Sequence, residues 1–194
     1  MKKLLIPLGV IIGFFIILAM IFAPKYNQFV SLEEEVNQQE SQIETQLQRR
    51  GDLIPNLVST VQGYASQEQQ IFTDIAEARS QLAGAQGVEE MAEANGEVTS
   101  ALSRLLAISE NYPDLQASEQ FTGLRDELAG AENRIAVARQ DYNTAVQEYN
   151  QNTRTFPGNV IAGLFNFDEK AYFEADASSR EVPEVEFNTE QDGE

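Results

Sequence analysis

Apolar residues dominate the beginning of the chain. Residues 4–23 carry neither a charge nor an amide side chain, and Lys2, Lys3 and Lys25 flank them. A helix rises about 1.5 Å per residue, so twenty residues measure roughly 30 Å, the thickness of the hydrocarbon core of a bilayer. The pattern therefore predicts a transmembrane anchor over residues 1–24. The predicted anchor side chains include Leu4, Ile11, Phe14, Phe15, Ile17 and Phe22.

A cleaved signal peptide is the alternative interpretation of this stretch. Signal peptides have an apolar region of about 7 to 15 residues that ends in a small-x-small cleavage site. Here the apolar stretch is longer, and bulky Ile21 lies two positions before Ala23, the only small residue at its end. An uncleaved anchor fits these features better. The excess of Lys2 and Lys3 over Lys25 then predicts a cytoplasmic N-terminus with the remaining chain outside.

Beyond residue 24, apolar and small residues recur at the spacing of amphipathic helices. The longest seam steps by three or four residues through four heptads, which is typical of knobs-into-holes packing. Two further seams cover 58–82 and 88–106, and Ser118 is the predicted N-cap of the last helix. The members of the longest seam are Phe121, Leu124, Leu128, Ala131, Ile135, Ala138, Tyr142, Ala145 and Tyr149.

Pro55 interrupts the helical pattern that follows the apolar stretch. Its ring would clash with the carbonyl of Gly51, four residues earlier, so the helix must kink there or restart with Asp52 as a cap. We expect two helices, over 26–50 and 52–84. One bent rod that continues from the anchor is the alternative.

Short segments that contain glycine or proline separate the later helices, and such short links are typical of antiparallel neighbours. The predicted fold is all-α, with an antiparallel up-and-down four-helix bundle of coiled-coil type over residues 25–153. An extended coiled coil that pairs with another chain is the alternative. A non-helical aromatic strap that packs on the bundle is predicted over 154–174, where aromatic residues occur together with turn formers. An oligomer contact is the alternative role for this segment. The acidic composition of residues 175–194 predicts a flexible tail.

Charge and missing residue types exclude several functions. The chain has 194 residues with a formal net charge of -18, so binding to nucleic acid driven by phosphate neutralisation is excluded. It contains no cysteine, histidine or tryptophan, which removes thiol and imidazole chemistry. Nothing in the spacing selects a catalytic pair among the 31 acidic residues. We expect no enzyme activity, no cofactor and no metal site.

Two groups of charged residues have alternative interpretations. Arg49 and Arg50 beside Asp52 fit an anion site or partner contact, but they more commonly complement the dipole at the end of a helix. Glu68 and Arg79 occupy apolar seam positions. They either pair across the bundle and set its register, which is the favoured interpretation, or line a polar gap that admits a ligand.

Several motifs resemble the LemA family of bacterial membrane proteins. They are YNQFVSLEEEV after the apolar stretch, QIETQLQRRGDLIPNLVSTVQGYASQE over 42–68, and YNTAVQEYNQNTRTFPGNVIAGLFNFDEKAYFE over 142–174. The resemblance implies one N-terminal membrane helix, an all-helical bundle and no established catalytic activity. The motif residues are Gln48, Arg49, Arg50, Asp52, Leu53, Ile54, Pro55, Asn56, Leu57, Val58, Tyr64, Ala65, Tyr142, Asn143, Tyr149, Asn150, Phe156 and Pro157.

These features together predict a single-pass protein of the bacterial cell membrane that acts as an interaction module or scaffold. The expected partners are the lipid bilayer, further copies of the chain and other envelope proteins. A signalling or sensory accessory that couples the bundle to its membrane helix is the alternative. An unbroken helix across residues 24–55 would favour coupling, whereas a joint at Pro24 would favour a simple tether.

Overall fold

The computed structural model describes residues 2–174, without the side chains of residues 2–8, 10, 14, 15, 18 and 21. The predicted acidic tail over 175–194 lies outside the described residues. Every regular element in the described part of the chain is a helix, which confirms the all-α class. The helices are α1 (Lys2–Gln62), α2 (Gln69–Gly84), α3 (Gly87–Ser109), α4 (Pro113–Gln116), α5 (Glu119–Arg154) and α6 (Gly158–Phe165).

The four long helices pack as two antiparallel pairs. The most extensive packing joins α1 to α5, and the rings of Phe29 and Tyr149 meet in an edge contact near one end of this pair. Helices α2 and α3 form the second pair, which an Arg104–Asp74 ion pair of 3.0 Å also bridges. Ser118 accepts a hydrogen bond from the Phe121 N–H, as expected for the cap of α5.

The predicted seams form two apolar clusters along the bundle. The strap-end cluster joins the middle of α1 to the second half of α5, and α6 closes it. The loop-end cluster joins the end of α1 to α2, α3 and the start of α5. Large, fully buried members of the first are Phe29, Val36, Ile43, Ile135, Tyr149 and Ile161, and of the second Ile54, Leu57, Ile75, Leu105, Leu115 and Phe121.

The predicted division into helices 26–50 and 52–84 is wrong. Helix α1 continues through Gly51 and Pro55 to Gln62, and the chain turns over residues 63–68. Pro55 lies exposed within the helix, and the Gly51 carbonyl that it leaves without its usual N–H donor accepts a hydrogen bond from Arg79 Nε at 3.0 Å. A contact from another helix therefore supplies what local sequence lacks. Asp52 is an interior helical residue and caps nothing.

The predicted N-terminal transmembrane helix is also wrong. Among the described residues, no helix contains a stretch long and apolar enough to cross a membrane. The apolar stretch is not a separate element: it forms the first turns of the 61-residue α1, and Phe22 already packs against the strap-end cluster. Ile11 and Ile17 are exposed, and the side chains of Leu4, Phe14 and Phe15 are outside the described part.

The aromatic strap is only partly non-helical. Residues 158–165 form α6, which ends at Asn166 in the left-handed conformation with φ 58°. Residues 167–174 are extended and run back along α5. We call this extended piece the strap.

Candidate functional site

A polar layer lies in the middle of the bundle, between the two apolar clusters. Its centre is the Arg50 side chain, which is 5% exposed and forms a 2.7 Å ion pair with Glu132 of α5. The same guanidinium donates hydrogen bonds to Asn95 Oδ1 and, at 3.1 Å, to Thr99 Oγ1 of α3. Burial lowers the pKa of Arg50, and the nearby Glu132 carboxylate opposes that effect. This layer fixes α1, α3 and α5 in one register.

Sequence reasoning assigned Arg50 a different environment. The expectation that Arg49 and Arg50 complement the end of a helix fails because α1 continues for three more turns. Arg49 is exposed, whereas Arg50 is buried and paired. The partners Asn95 and Glu132 lie 45 and 82 positions along the chain, so no local pattern identifies them.

Two further contacts involve Arg79 and Glu68, the charged residues that were predicted at seam positions. Arg79 donates to the Gly51 carbonyl, and Glu68 precedes α2 and accepts a hydrogen bond of 3.3 Å from the Tyr112 hydroxyl. A cleft of about 370 Å³ opens beside Arg79, with Glu44 among its lining residues. Neither residue occupies the predicted apolar seam of α2, because Arg79 is exposed and Glu68 lies before the helix begins.

Two asparagines of α5 hold the strap by its backbone. The Asn150 amide donates to the Lys170 carbonyl at 2.8 Å and its oxygen accepts from the Lys170 N–H at 2.9 Å. The Asn143 amide likewise donates to the Phe173 carbonyl at 3.0 Å, and its oxygen accepts from the Phe173 N–H at 2.8 Å. Asn143 and Asn150 are seven residues apart, which is about 10 Å along a helix, and Lys170 and Phe173 are three residues apart, which is a similar length in an extended chain. The spacing of the asparagines on α5 therefore matches the spacing of the strap residues that they bind.

The tyrosines that precede these asparagines lie inside the same contact. The Tyr142 hydroxyl donates to the Ala171 carbonyl at 2.9 Å. Burial raises the pKa of Tyr142 to about 12, and the carboxylates of Glu40 and Glu89 add to this effect. Burial likewise raises the pKa of Tyr149 to about 12. The repeated Tyr-Asn pair at a spacing of seven residues is the sequence signal that points to this site.

Aromatic rings join the strap and α6 to α1. Phe167 stacks on Phe29 with centroids 5.0 Å apart, and Tyr26 contacts both Phe165 at 4.9 Å and Phe167 at 5.7 Å. Lys170 forms a 2.9 Å ion pair with Glu33 of α1. The end of the bundle is thus closed against α1 just beyond its apolar stretch.

Several large apolar side chains in the described part of the α1 stretch are exposed. Each of those that the structure describes before residue 21 is at least half exposed, with values from 50% to 71%. Counted at about 100° per residue, they occupy roughly 240° of the helix circumference. These residues are Ile11, Ile12, Ile16, Ile17 and Met20.

The motif residues of the sequence analysis divide between the buried layers and the surface. Those that are buried are Arg50, Ile54, Leu57, Ala65, Tyr142, Tyr149 and Asn150, and those partly buried are Leu53, Val58, Asn143 and Pro157. The exposed ones are Gln48, Arg49, Asp52, Pro55, Asn56, Tyr64 and Phe156. Sequence reasoning did not single out Asn95, Thr99, Glu132 or Lys170, which complete the contacts.

This arrangement defines an all-helical bundle protein with an asparagine-held strap and an apolar helical extension. Within the described residues, no group of three or more acidic side chains is placed to hold a metal ion. The LemA family model matches residues 39–187, well over half of the sequence. The chain therefore belongs to the LemA family, and the resemblance seen in its motifs is confirmed.

The chain is also similar to several named proteins. It is 28% identical over 176 residues to Magnetosome protein MamQ 2 of Paramagnetospirillum magneticum, covering 77% of this chain and 65% of that protein. Identity is likewise 28% to Magnetosome protein MamQ of Magnetospirillum gryphiswaldense, over 77% of this chain and 64% of the relative. Protein LemA of Metamycoplasma hominis is 25% identical over 90% of this chain and 84% of its own length. The chain thus spans about 65% of the length of the magnetosome relatives.

Proposed function

We propose that the protein is a membrane-associated, non-catalytic scaffold that binds lipid through the apolar end of α1 and presents its bundle to other proteins. One observation carries the proposal. Five large apolar side chains are exposed at that end, and the helix that bears them continues without a break into the bundle.

The distribution of these side chains favours lipid over a protein partner. A single partner helix covers one stripe, a third to a half of a helix surface. Here apolar exposure extends over roughly 240°, so a medium that surrounds the helix fits better.

The body of the protein supports the scaffold part of the proposal. Residues beyond 24 carry a net charge of -20, because Lys2 and Lys3 are the only charged residues before that point. Such a body stays away from anionic lipid headgroups and remains available to partners in water.

Self-association is part of the proposal, although the helical seams are already buried within one chain. Copies would therefore meet through outer faces, and sedimentation of the detergent-solubilised protein tests for them.

A signalling accessory is the second candidate, favoured by the continuity of α1. No break separates residue 24 from residue 55, so displacement at the apolar end is transmitted along a rod into the polar layer at Arg50. Insertion of two glycines after Asn27 would interrupt this rod and leave the lipid contact in place. Loss of partner response without loss of lipid binding would favour the signalling accessory over the scaffold.

Vesicle flotation of the full-length chain tests the proposed lipid contact. The variant Ile16→Gln/Ile17→Gln should bind phosphatidylcholine vesicles more weakly by about tenfold or more, because each buried aliphatic side chain contributes about 1.5–3 kcal/mol. The matched control, Tyr64→Gln/Val137→Gln, changes two side chains that are 47% and 59% exposed on the body. Equal binding by both variants and the unmodified chain would refute the proposal.

A further inference from the structure

Helix α6 exposes a patch of apolar side chains although it is part of the folded body. It contains no charged residue, and it buries Ile161 and Ala162 against the strap-end cluster. Its opposite side exposes Val160 by 43% and Leu164 by 64%, and Phe165 at its end is 52% exposed. A short surface helix normally turns polar residues to water, so this exposed side requires an explanation.

The position of α6 relates this patch to the end of α1. Phe165 contacts Tyr26, which is itself 38% exposed. Tyr26 follows Met20 by six residues, or about 9 Å along the helix axis. We call Val160, Leu164, Phe165 and Tyr26 the α6 patch. It lies beside the point at which the apolar stretch of α1 enters the bundle.

The charged side chains nearest to the patch in sequence are largely paired. Arg154 forms a two-contact ion pair with Glu169, and Lys170 pairs with Glu33. Lys25 donates a hydrogen bond of 2.8 Å to Gln28. Asp168 is also near and is exposed, so three basic residues (Lys25, Arg154 and Lys170) stand against three acidic ones (Glu33, Asp168 and Glu169). This local balance lowers the electrostatic repulsion between this end of the acidic body and an anionic lipid surface.

We propose that the α6 patch is a second lipid contact, which rests on the headgroup region of the same lipid phase that receives the end of α1. The inference rests on the proposed function. Aromatic rings and aliphatic side chains on a short helix are typical of elements that lie in a membrane interface. With two contacts instead of one, the bundle would hold a fixed tilt to the lipid surface.

Lipid fits this patch better than a second copy of the chain. The patch follows a segment of α1 whose described apolar side chains from Ile11 to Met20 are exposed over about 240° of the helix circumference. Lipid that surrounds Met20 would reach Tyr26 and Phe165 without further rearrangement, because only about 9 Å of helix separates them. A second copy would have to cover the patch and leave the adjacent apolar stretch free.

Single-tryptophan variants of the full-length chain test the inference, because the natural sequence has no tryptophan. Leu164→Trp reports on the patch and Ile17→Trp on the end of α1. Tyr64→Trp is the control, since it lies about 70 Å along the axis of α1 from residue 17. Each variant is reconstituted with phosphatidylcholine vesicles with or without bromine on the acyl chains. Circular dichroism checks the fold, and Val160→Trp repeats the measurement one turn earlier on α6.

We expect brominated lipid to quench the fluorescence of Leu164→Trp and Val160→Trp. Lipid should also shift the emission of both variants to the blue. Both effects should be weaker than for Ile17→Trp. Tyr64→Trp should show neither effect. Quenching of Ile17→Trp alone would overturn the inference and leave the proposed function intact, whereas absence of quenching in both would overturn both. A blue shift of Leu164→Trp that grows with protein concentration without bromine quenching would identify a second copy as the occupant and also overturn the inference.

Discussion

Arg79 of α2 donates a hydrogen bond from its Nε to the carbonyl oxygen of Gly51 on α1, at 3.0 Å. Gly51 lies four residues before Pro55, so this carbonyl is the one that proline deprives of its normal helical donor. A side chain from one helix thus completes the backbone of another. This relationship explains how α1 passes Pro55 without a break.

The loss of Arg79 should therefore cost more stability when Pro55 is present than when it is replaced. Arg79→Met should lower the free energy of unfolding by about 1 kcal/mol, the usual net value of such a hydrogen bond. In the Pro55→Ala background the restored N–H serves the same carbonyl, so the cost of Arg79→Met should shrink. Denaturant unfolding of the four proteins measures this coupling.

Arg49→Met is the matched control for this cycle, because Arg49 is an exposed arginine on α1. It should change stability by no more than about 0.5 kcal/mol. Equal costs of Arg79→Met in both backgrounds would show that the hydrogen bond does not stand in for the missing helical donor.

The Arg50–Glu132 pair predicts an asymmetric response to mutation. Glu132→Gln leaves a buried guanidinium without its carboxylate and should cost about 3 kcal/mol. Arg50→Met should cost less, about 2 kcal/mol, because the Glu132 side chain is 41% exposed and only its buried Oε2 atom loses a partner. The combination Arg50→Met/Glu132→Gln should be less destabilising than the sum of the two.

Thermal or urea unfolding measures these differences, again with Arg49→Met as the control. A larger cost for Arg50→Met than for Glu132→Gln would mean that packing of the arginine stem, not its charge, dominates the layer.

The sequence predicted which helix faces are buried better than it predicted where the helices end. The three-four spacing of the seam from Phe121 to Tyr149 predicted which side of α5 is buried, because that period is a property of the helix alone. The position of the first break was missed because Arg79 compensates Pro55 from a different helix. A local rule cannot include a donor that lies 28 positions from its acceptor.

The sequence also shows some residues of the candidate site without showing what they bind. The two Tyr-Asn pairs are visible in the sequence at heptad spacing, but their task is not, because the strap they hold has no regular hydrogen-bonding pattern of its own. The apolar stretch was recognised as apolar, yet counting its residues could not show that it is the first part of a helix that also packs in the bundle.

Replacing Asn150 with aspartate should make strap docking depend on pH. An ionised carboxylate cannot donate to the Lys170 carbonyl and would repel it, whereas a protonated carboxyl both donates and accepts, as the amide does. Docking therefore raises the pKa of the introduced group above its ordinary value of about 4. The contribution to stability should be present below that pH and be lost as pH rises.

Hydrogen exchange of the Lys170 and Phe173 amides, corrected for intrinsic rates, measures strap docking. Asn133→Asp is the control, since Asn133 is exposed on the same helix. If Asn150→Asp protects these amides equally at low and neutral pH, the side-chain clamp is not what holds the strap.

The two buried tyrosines predict a loss of stability at high pH. Burial raises the pKa of Tyr142 and of Tyr149 to about 12, above the ordinary value of about 10. The neutral form is thus favoured in the folded state. Its contribution is complete below pH about 10 and should be lost as pH rises towards about 12, by about 1.4 kcal/mol per pH unit for each tyrosine. The double variant Tyr142→Phe/Tyr149→Phe should show a shallower fall in unfolding free energy, and an unchanged slope would contradict this origin.

Two glycines of α6 should respond in opposite ways to the same substitution. A Cβ at Gly158 would overlap the carbonyl oxygen of Asn152 and also approach the ring of Phe29, so the backbone or the aromatic ring must move. A Cβ at Gly163 would meet no atom within 4 Å. Gly158→Ala should therefore destabilise the end of the bundle by about 1–3 kcal/mol, whereas Gly163→Ala should be neutral or stabilise α6 by up to about 1 kcal/mol through helix propensity.

Because both changes add one methyl group to the same short helix, their difference in unfolding free energy isolates the close approach of α6 to α5. Equal effects of the two substitutions would show that this approach relaxes at no cost and that α6 is not locked onto the bundle at Gly158.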